Sequence, residues 1–192
     1  MPGTAGARRV SGEETIALRD GREVLVRLSR QGDAERVHAY ICALGCSTDT
    51  ILTCAEDLPP IERIQSHIEM IPKGRFYSLV AIDPQNDTVV GNATFRFAVR
   101  KKLMHAADLG MGVLPSHQGV GLGRMLLDRA IEDMRSFDGI DRLELTVLAT
   151  NTHARRMYER AGFLEEGVKR RSLRQPDGRY EDEVMMGMWV GE

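Results

Sequence analysis

The chain has 192 residues, of which 42% are hydrophobic and 28% charged, and its 26 Lys and Arg residues against 28 Asp and Glu give a formal net charge of -2. This composition is ordinary for a globular protein, which excludes wholesale disorder, a collagen-like fibre and a low-complexity architecture. The balanced charge calls for no nucleic-acid partner, and no apolar run approaches the roughly 20 residues that span a bilayer. Because the first residues also lack the apolar segment of a secretory signal, we expect a cytoplasmic protein without a membrane partner.

Hydrophobic periodicity and turn residues predict the order ββααβββαβαββ, a mixed α/β arrangement. Residues 1–12 are rich in Gly, Ala and Arg and are expected to be flexible, with one folded domain from 13 to 192. In chain order, we predict strands at 15–18 and 23–28, a helix at 34–43, an irregular stretch at 44–58 and a helix at 61–71. Three strands follow at 76–82, 88–99 and 106–113, then a helix at 118–137, a strand at 142–148, a helix at 152–160 and a hairpin of strands at 163–173 and 180–190.

The cysteines indicate no disulfide framework. There are three, Cys42, Cys46 and Cys54, an odd number clustered in one stretch. Cys42 and Cys46 are four residues apart, but the nearest histidines, His38 and His67, complete no standard zinc pattern. We therefore expect free thiols that serve packing, and no metal site.

A glycine-rich turn follows the predicted strand 106–113. The run Gln118-Gly119-Val120-Gly121-Leu122-Gly123 leads into a helix. Glycine lets the backbone approach a ligand closely, and the first amides of a helix carry a partial positive charge. The turn is therefore a candidate main-chain cradle for a phosphate or diphosphate, to which Arg124 can add a formal charge. A turn needed only for tight packing of strand against helix is the alternative.

Two familiar phosphate-binding motifs fit this turn poorly. A P-loop requires Gly-Lys followed by Ser or Thr, whereas Gly123 is followed by Arg124-Met125. A dinucleotide-binding turn counted from Gly119 would place its last glycine at position 125, which is Met. The next predicted strand, 142–148, is followed by Ala149, Thr150 and Asn151, with no acidic residue for a ribose hydroxyl.

Two sequence motifs resemble one family. Gln118-x-x-Gly121-x-Gly123 resembles the Q/R-x-x-G-x-G/A motif of the GCN5-related N-acetyltransferase (GNAT) superfamily, and 151–163 resembles its N-x-x-A-x-x-x-Y-x-x-x-G-F block. Two motifs in the right order are far more specific than one glycine turn. The resemblance is strong over 106–163 and looser elsewhere. The tail 167–188 resembles bacterial members that acetylate small amines, amino acids or protein N-termini.

The resemblance implies a GNAT-like fold, with a mixed, mostly antiparallel central sheet and helices on both faces, forming a single acetyltransferase domain. It implies direct transfer of an acetyl group from acetyl-CoA, the cosubstrate, to a primary amine, with no metal. The acceptor would be a small molecule, an amino acid or a peptide N-terminus. A non-catalytic acyl-CoA-binding or sensor module of the same fold is the alternative. The last strands would be compatible with a homodimer.

The resemblance also implies roles for individual residues. The main chain at Met111 and Val113 would bind the pantetheine arm like an added strand, and the Val113 amide would be the donor to the thioester carbonyl. Asn151 would bind the arm or hold the strands apart, and Tyr158 would be the general acid that protonates the departing thiolate. The cofactor-binding residues expected on this basis are Met111, Val113, Gln118, Gly119, Val120, Gly121, Leu122, Gly123, Arg124, Asn151, Ala154 and Tyr158.

The general base stays open. Many family members use a carboxylate on the strand before the glycine turn, where Asp108 is the candidate here, and Glu144 on the next predicted strand is another. For each, a solvated or structural role is the alternative. Strand alternation places Asp108 on one face with Gly110 and Gly112. His105 and His117 are expected at the surface.

Acceptor choice is expected to lie in the irregular stretch 44–58 and in the terminal hairpin, which flank the acetyl site in the family. Asp49, Glu56 and Asp57 could favour a cationic amine, and Tyr180 and Asp182 could contribute from the hairpin. A solvated loop face is the alternative for all of them.

Overall fold

In the computed structural model, which describes residues 12–47, 58–175 and 177–191, one eight-stranded sheet carries helices on both faces. The strands are β1 (Glu14–Ala17), β2 (Glu23–Leu28), β3 (Phe76–Asp83), β4 (Thr88–Phe97), β5 (Ala106–Val113), β6 (Arg142–Leu148), β7 (Leu164–Arg174) and β8 (Tyr180–Trp189). The helices are α1 (Ala34–Gly45), α2 (Ile61–Ile68), α3 (Leu122–Arg135) and α4 (Thr152–Ala161).

The strand order is β1-β2-β3-β4-β5-β6-β8-β7. All neighbouring strands are antiparallel except β5 and β6, which are parallel. The predicted mixed, mostly antiparallel sheet with helices on both faces is therefore confirmed. No helix in the described part of the chain is long and apolar enough to cross a membrane.

The sheet buries a hydrophobic layer on each face. On one face, α3 contributes Leu122, Leu126 and Met134 to the larger core, which Tyr158 of α4 joins. On the other face, α1 and α2 pack on β3 and β4 through a second core. Each helix thus presents an apolar stripe to the sheet, as the periodicity of its residues predicts.

Helix α1 lies almost directly on the backbone of β5. A Cβ added at Gly112 would collide with the side chain of Leu44 and lie 2.8 Å from the Tyr40 hydroxyl. That hydroxyl donates a hydrogen bond to Oδ1 of Asn92 on β4, at 3.0 Å. The absence of a side chain at position 112 is therefore what allows α1 to sit this close.

Several predicted boundaries differ from the observed ones. Helix α2 ends at Ile68 rather than at 71, because the chain then forms turns up to Gly74, where φ is positive. Helix α3 begins at Leu122 rather than at 118, because Gly119 and Gly121 have φ of 75° and 93°, which a right-handed helix excludes.

Two further predictions concern the position of His117 and the segments expected to be flexible or irregular. The surface position predicted for His117 is wrong: its side chain is buried, within 3.1 Å of an Arg22 nitrogen and 3.0 Å of the Ser116 hydroxyl. The predictions for the flexible terminus and the irregular stretch fall largely on 1–11 and 48–57, which lie outside the described residues. The domain boundary at residue 12 stays a prediction.

A buried ion pair ties the start of α1 to β2. Arg27 and Asp33 are 4% and 1% exposed, and the guanidinium donates to both carboxylate oxygens, at 2.5 and 2.8 Å. The Arg30 amide donates a third hydrogen bond to the carboxylate, at 2.8 Å. Burial opposes ionisation of Asp33, but the hydrogen bonds from Arg27 and the Arg30 amide outweigh it and lower its pKa. The pair is therefore charged at neutral pH.

We predict that Asp33→Asn lowers the free energy of unfolding by about 3–5 kcal/mol, because it leaves the buried Arg27 with only the exposed Glu13, 3.8 Å from its Nε, as a counter-ion. The matched control is Asp87→Asn, since Asp87 pairs with Arg36 at the surface, and we expect it to cost less than about 1 kcal/mol. Urea denaturation of the three proteins measures both values, and equal stabilities of the two variants would contradict the prediction.

The same pair predicts a pH dependence. Because the folded-state pKa of Asp33 is lowered, its contribution is fully present above the ordinary value of 3.8 and disappears as the pH falls through the lowered value. The stability difference between the wild type and Asp33→Asn should therefore be constant near neutral pH and shrink in acid. A difference that grows in acid would contradict the charge assignment.

Candidate active site

The site is built around a gap between β5 and β6. The two strands pair only over Ala106–Asp108 and Arg142–Glu144. Beyond that point β5 stays paired with β4 as far as Val113, whereas β6 stays paired with β8 as far as Leu148. A cleft of about 1220 Å³ opens where the strands part. It is lined by both strands, the glycine-rich turn, α1, α2 and α4.

Main-chain groups of β5 face this gap. The Leu114 amide donates to the Val90 carbonyl of β4, at 2.9 Å. Since main-chain groups of successive residues point to alternate edges of a strand, those of Met111 and Val113 face away from β4 and toward the gap. The Val113 carbonyl accepts a hydrogen bond from the Gln118 side chain, at 2.9 Å. Gln118 thereby fixes the end of the strand to the start of the glycine-rich turn.

The turn leaves the first amides of α3 uncovered. Gly121 is the N-cap of α3 in a left-handed conformation, and no side chain of the described residues caps the helix. The amides of Leu122, Gly123 and Arg124 therefore lack the intrahelical partners that later residues have. Gly119, Gly121, Gly123 and Arg124 line the same cleft as Met111 and Val113. The arrangement can hold an anionic group on main-chain donors.

A second positive charge beside the turn comes from a residue that the sequence analysis does not predict, Arg19. Arg124, the residue predicted to supply a charge there, is bonded to Asp128 through Nε at 2.7 Å. Arg19, from the turn between β1 and β2, lies so close that a Cβ on Gly121 would be 3.3 Å from its Nε. Its side chain makes no hydrogen bond or ion pair with any described residue. Nothing local in the sequence signals Arg19, because the contact joins segments about a hundred residues apart.

The opposite side of the gap is formed by the beginning of α4. The Asn151 side chain accepts a hydrogen bond from the Ala154 amide at 3.1 Å, so it caps this helix at the end of β6. Tyr158 lies one helical turn after Ala154. Its side chain is buried edge-on against Phe163, with 5.9 Å between ring centres. Asn151, Ala154 and Tyr158 all line the cleft.

The hydroxyl of Tyr158 is free to meet a ligand. It makes no hydrogen bond with any residue that the structure describes. Burial raises its pKa to about 12, so the phenol keeps its proton at neutral pH. The side chain can therefore donate a proton or a hydrogen bond into the cleft, and its apolar body stays packed in the core.

Asp108 and Glu144, the two residues predicted as candidate bases, differ in their position relative to the cleft. Asp108 lines the cleft but accepts two hydrogen bonds from Arg96 of β4, at 2.5 and 3.1 Å. Glu144, opposite Asp108 in register, is not among the described residues that line the cleft. One of its oxygens lies 3.4 Å from the Nε of Arg142, whose guanidinium also pairs with Glu166.

The residues expected to choose the acceptor are only partly described. Asp49, Glu56 and Asp57 lie outside the described residues. Tyr180 is exposed, with the Arg171 guanidinium 4.5 Å from its ring centre. Asp182 accepts a hydrogen bond from the Arg171 amide at 2.7 Å. Neither hairpin residue belongs to the described lining of the cleft.

The other wall of the cleft is formed by α1, α2 and the neighbouring faces of β3 and β4. Tyr40, Asn92 and Thr94 bring polar atoms to it. His67 of α2 stacks on Phe76 with 4.8 Å between ring centres. Burial and the positive charges of Arg63 and Arg96 lower the pKa of His67.

No metal centre is recognisable in the described parts of the chain. No group of three or more His, Cys, Asp and Glu side chains there could hold an ion. Cys42 and Cys46 are free thiols, and Cys54 lies outside the described residues.

Comparison with known proteins identifies the family. The sequence profile of the Acetyltransferase (GNAT) family matches residues 47–163. The chain is 30% identical to the [ribosomal protein bS18]-alanine N-acetyltransferase of Haemophilus influenzae over 117 residues, which is 60% of this chain and 74% of that protein. It is 34% identical to the L-amino acid N-acetyltransferase AaaT of Escherichia coli over 99 residues, which is 51% of this chain and 60% of that protein.

A solved structure agrees. The crystal structure of a GNAT-family acetyltransferase from Streptococcus pneumoniae matches with a TM-score of 0.80 at 26% identity, over 86% of this chain and 99% of that chain. Because the family profile covers more than half of the sequence, and the sheet, the glycine-rich turn and the cleft agree with it, the chain belongs to the GNAT family and is an acetyl-CoA-dependent N-acetyltransferase.

Proposed function

We propose that this protein transfers the acetyl group of acetyl-CoA directly to a primary amine of a small molecule, an amino acid or a peptide N-terminus. The observation that carries the proposal is the hydroxyl of Tyr158, which lines the cleft between the parted strands and has no partner among the described residues. A phenol whose ring is held in the core while its hydroxyl faces an open cleft is well placed to donate to a bound ligand.

The residues of the cleft fit acetyl-CoA. The glycine-rich turn combines left-handed Gly119 and Gly121, uncapped amides at the start of α3 and the nearby Arg19. These donors suit a diphosphate. The gap beside β5 offers the main-chain groups of Met111 and Val113, which suit the amides of the pantetheine arm. The remaining predicted contacts, through Gln118, Val120, Leu122, Gly123, Arg124, Asn151 and Ala154, are proposals on the same basis.

Acetyl-CoA, when bound, supplies an acetyl group activated as a thioester. The Val113 amide is positioned to donate a hydrogen bond to a carbonyl oxygen in the gap. Tyr158 holds a proton on its hydroxyl oxygen, and we propose that it gives this proton to the leaving sulfur atom. Asp108 is the better placed of the two candidate bases because it lines the cleft, although its Oδ2 already accepts hydrogen bonds from Arg96.

The acceptor class is proposed from the relatives and from the cleft. The named enzymes of Haemophilus influenzae and Escherichia coli act on a protein alanine and on L-amino acids, respectively. A small amine, an amino acid and a peptide N-terminus share the primary amino group that direct transfer requires. The alternative, a non-catalytic acyl-CoA-binding module, would bind acetyl-CoA without releasing thiol. The homodimer and the cytoplasmic location stay predictions.

Thermal unfolding with acetyl-CoA, CoA or NAD tests the cosubstrate site. At about 100 times its dissociation constant, acetyl-CoA should stabilise the protein by about 2.7 kcal/mol, a rise in Tm of a few degrees for a chain of this size. NAD is the control, because a strand, a glycine-rich turn and a helix also occur in dinucleotide-binding proteins. No rise with acetyl-CoA up to millimolar concentration, or an equal rise with NAD, would contradict the proposed site.

Gly121→Val should weaken acetyl-CoA binding at least tenfold, because the new side chain meets Arg19 and distorts the left-handed turn. The matched control is Gly139→Val, since Gly139 has a similar φ of 83° but no atoms within 4 Å of where a Cβ would lie, and it is remote from the cleft. Both variants should lose about 1–3 kcal/mol of stability from backbone strain. Calorimetric titration measures the affinities, and equal affinities would refute the cradle.

Tyr158→Phe should lower turnover by about 10²- to 10⁴-fold and leave acetyl-CoA binding and Tm nearly unchanged, because the hydroxyl has no partner among the described residues. Tyr77→Phe is the opposite control. The Tyr77 hydroxyl donates to Asp133 at 2.6 Å inside the core, so its loss should cost about 1.5–3 kcal/mol of stability without lowering turnover of the folded protein. Free-thiol release measures turnover, and an unchanged rate for Tyr158→Phe would remove the acid role.

A further inference from the structure

Glu183 of β8 is a nearly buried acidic residue that has no role in the proposed transfer. It is 8% exposed, and it lines the same cleft as Tyr158. In register it lies opposite Leu148, the last residue of β6, and opposite Lys169 of β7. The next residue, Val184, faces the larger core, so alternation turns the side chain of Glu183 to the face that carries α1 and α2.

The carboxylate has no counter-ion in the described parts of the chain. The side chain of Glu183 forms no hydrogen bond or ion pair with any described residue, and this includes its register neighbour Lys169, which is exposed. What remains exposed of this residue lies in the cleft, where a carboxylate is shielded from bulk water and attracts a cation more strongly than one at the open surface does. The cleft is the route by which a cation can reach Glu183.

Other acidic groups near the cleft already have partners. Asp108 is bonded to Arg96. Glu181, two residues before Glu183 on the same face of β8, accepts hydrogen bonds from Thr150 at 2.8 Å and from Gln175 at 3.0 Å. Asp182 accepts from the Arg171 amide. Glu183 is therefore the carboxylate in this region with its full hydrogen-bonding capacity available to a ligand.

We infer that Glu183 binds the ammonium group of the acceptor, so that the acceptors of this enzyme are amines that arrive in the cationic form and release one proton to solvent before the nitrogen attacks. The inference rests on the proposed transfer to a primary amine and assigns the group that recognises it. An ammonium ion has three donors, and a carboxylate at the end of β6 offers it a charge-assisted pair beside the gap. Glu183 acts here as a specificity-determining residue for the acceptor.

The test compares wild type, Glu183→Gln and Glu181→Gln with phenethylamine, L-methioninamide and a short peptide with a free N-terminal alanine, by thiol release. For Glu183→Gln we expect the KM of the amines that the wild type uses to rise at least tenfold, with the KM of acetyl-CoA within twofold. Its Tm without ligand should stay within about 2 °C of that of the wild type, because the Glu183 side chain has no partner among the described residues to lose. Glu181→Gln should leave the KM of the amines within twofold.

An unchanged KM of the amines in Glu183→Gln would overturn the inference while the proposed function stands. Loss of folding or a Tm below the expected range in Glu183→Gln, matched by Lys169→Gln, would show a structural pair between these residues and would also overturn it. If the wild type acetylates none of the amines, the proposed function fails, and this result is read from the wild-type protein alone.

Discussion

The divergence of two parallel strands is the constraint on which the site depends. Strands β5 and β6 share only three register positions, and each is then held by its other neighbour, β4 or β8. A sheet that stayed paired would use the main-chain groups of Met111 and Val113 internally. Because it parts instead, those groups face a cleft, and the helix that follows β6 brings Tyr158 to the same place. The binding surface is thus made largely of backbone that the fold leaves available.

Much of the fold could be predicted because it is encoded locally. Strand β6 is predicted to the residue, since apolar residues alternate along it between two turns. The start of α3 is predicted four residues early, because periodicity does not report that Gly119 and Gly121 take positive φ. The burial of His117 is missed for a related reason, since its partner Arg22 comes from a distant turn.

Some residues of the candidate site can likewise be predicted from local sequence, and others cannot. The glycine-rich turn, Asn151 and Tyr158 belong to two continuous motifs, so the sequence suffices to propose them. Arg19 and Glu183 reach the cleft only through the sheet order, which sets β8 beside β6 and the β1–β2 turn beside α3. No spacing along the chain expresses that order, and a charged residue in a strand reads as a solvated one until its burial is known.

Two acidic residues with little exposed surface, Asp33 and Glu183, differ in whether the fold provides a partner for the carboxylate. Asp33 meets Arg27 in a two-pronged ion pair with a third donor from the backbone, and it contributes to the cohesion of α1 and β2. Glu183 has no such partner among the described residues. The first carboxylate is satisfied by the fold itself. The second lines the cleft and is available to a ligand.

The missing side chain at position 112 couples the two walls of the cleft. Because Leu44 and Tyr40 occupy the space that a Cβ would take, β5 cannot acquire a larger residue there unless α1 moves outward. Tyr40 also donates a hydrogen bond to Asn92, which lines the cleft, so such a movement would widen this wall and leave the Asn92 side chain without that donor. A single substitution at position 112 of β5 would thus change the shape of the cleft on the side of α1.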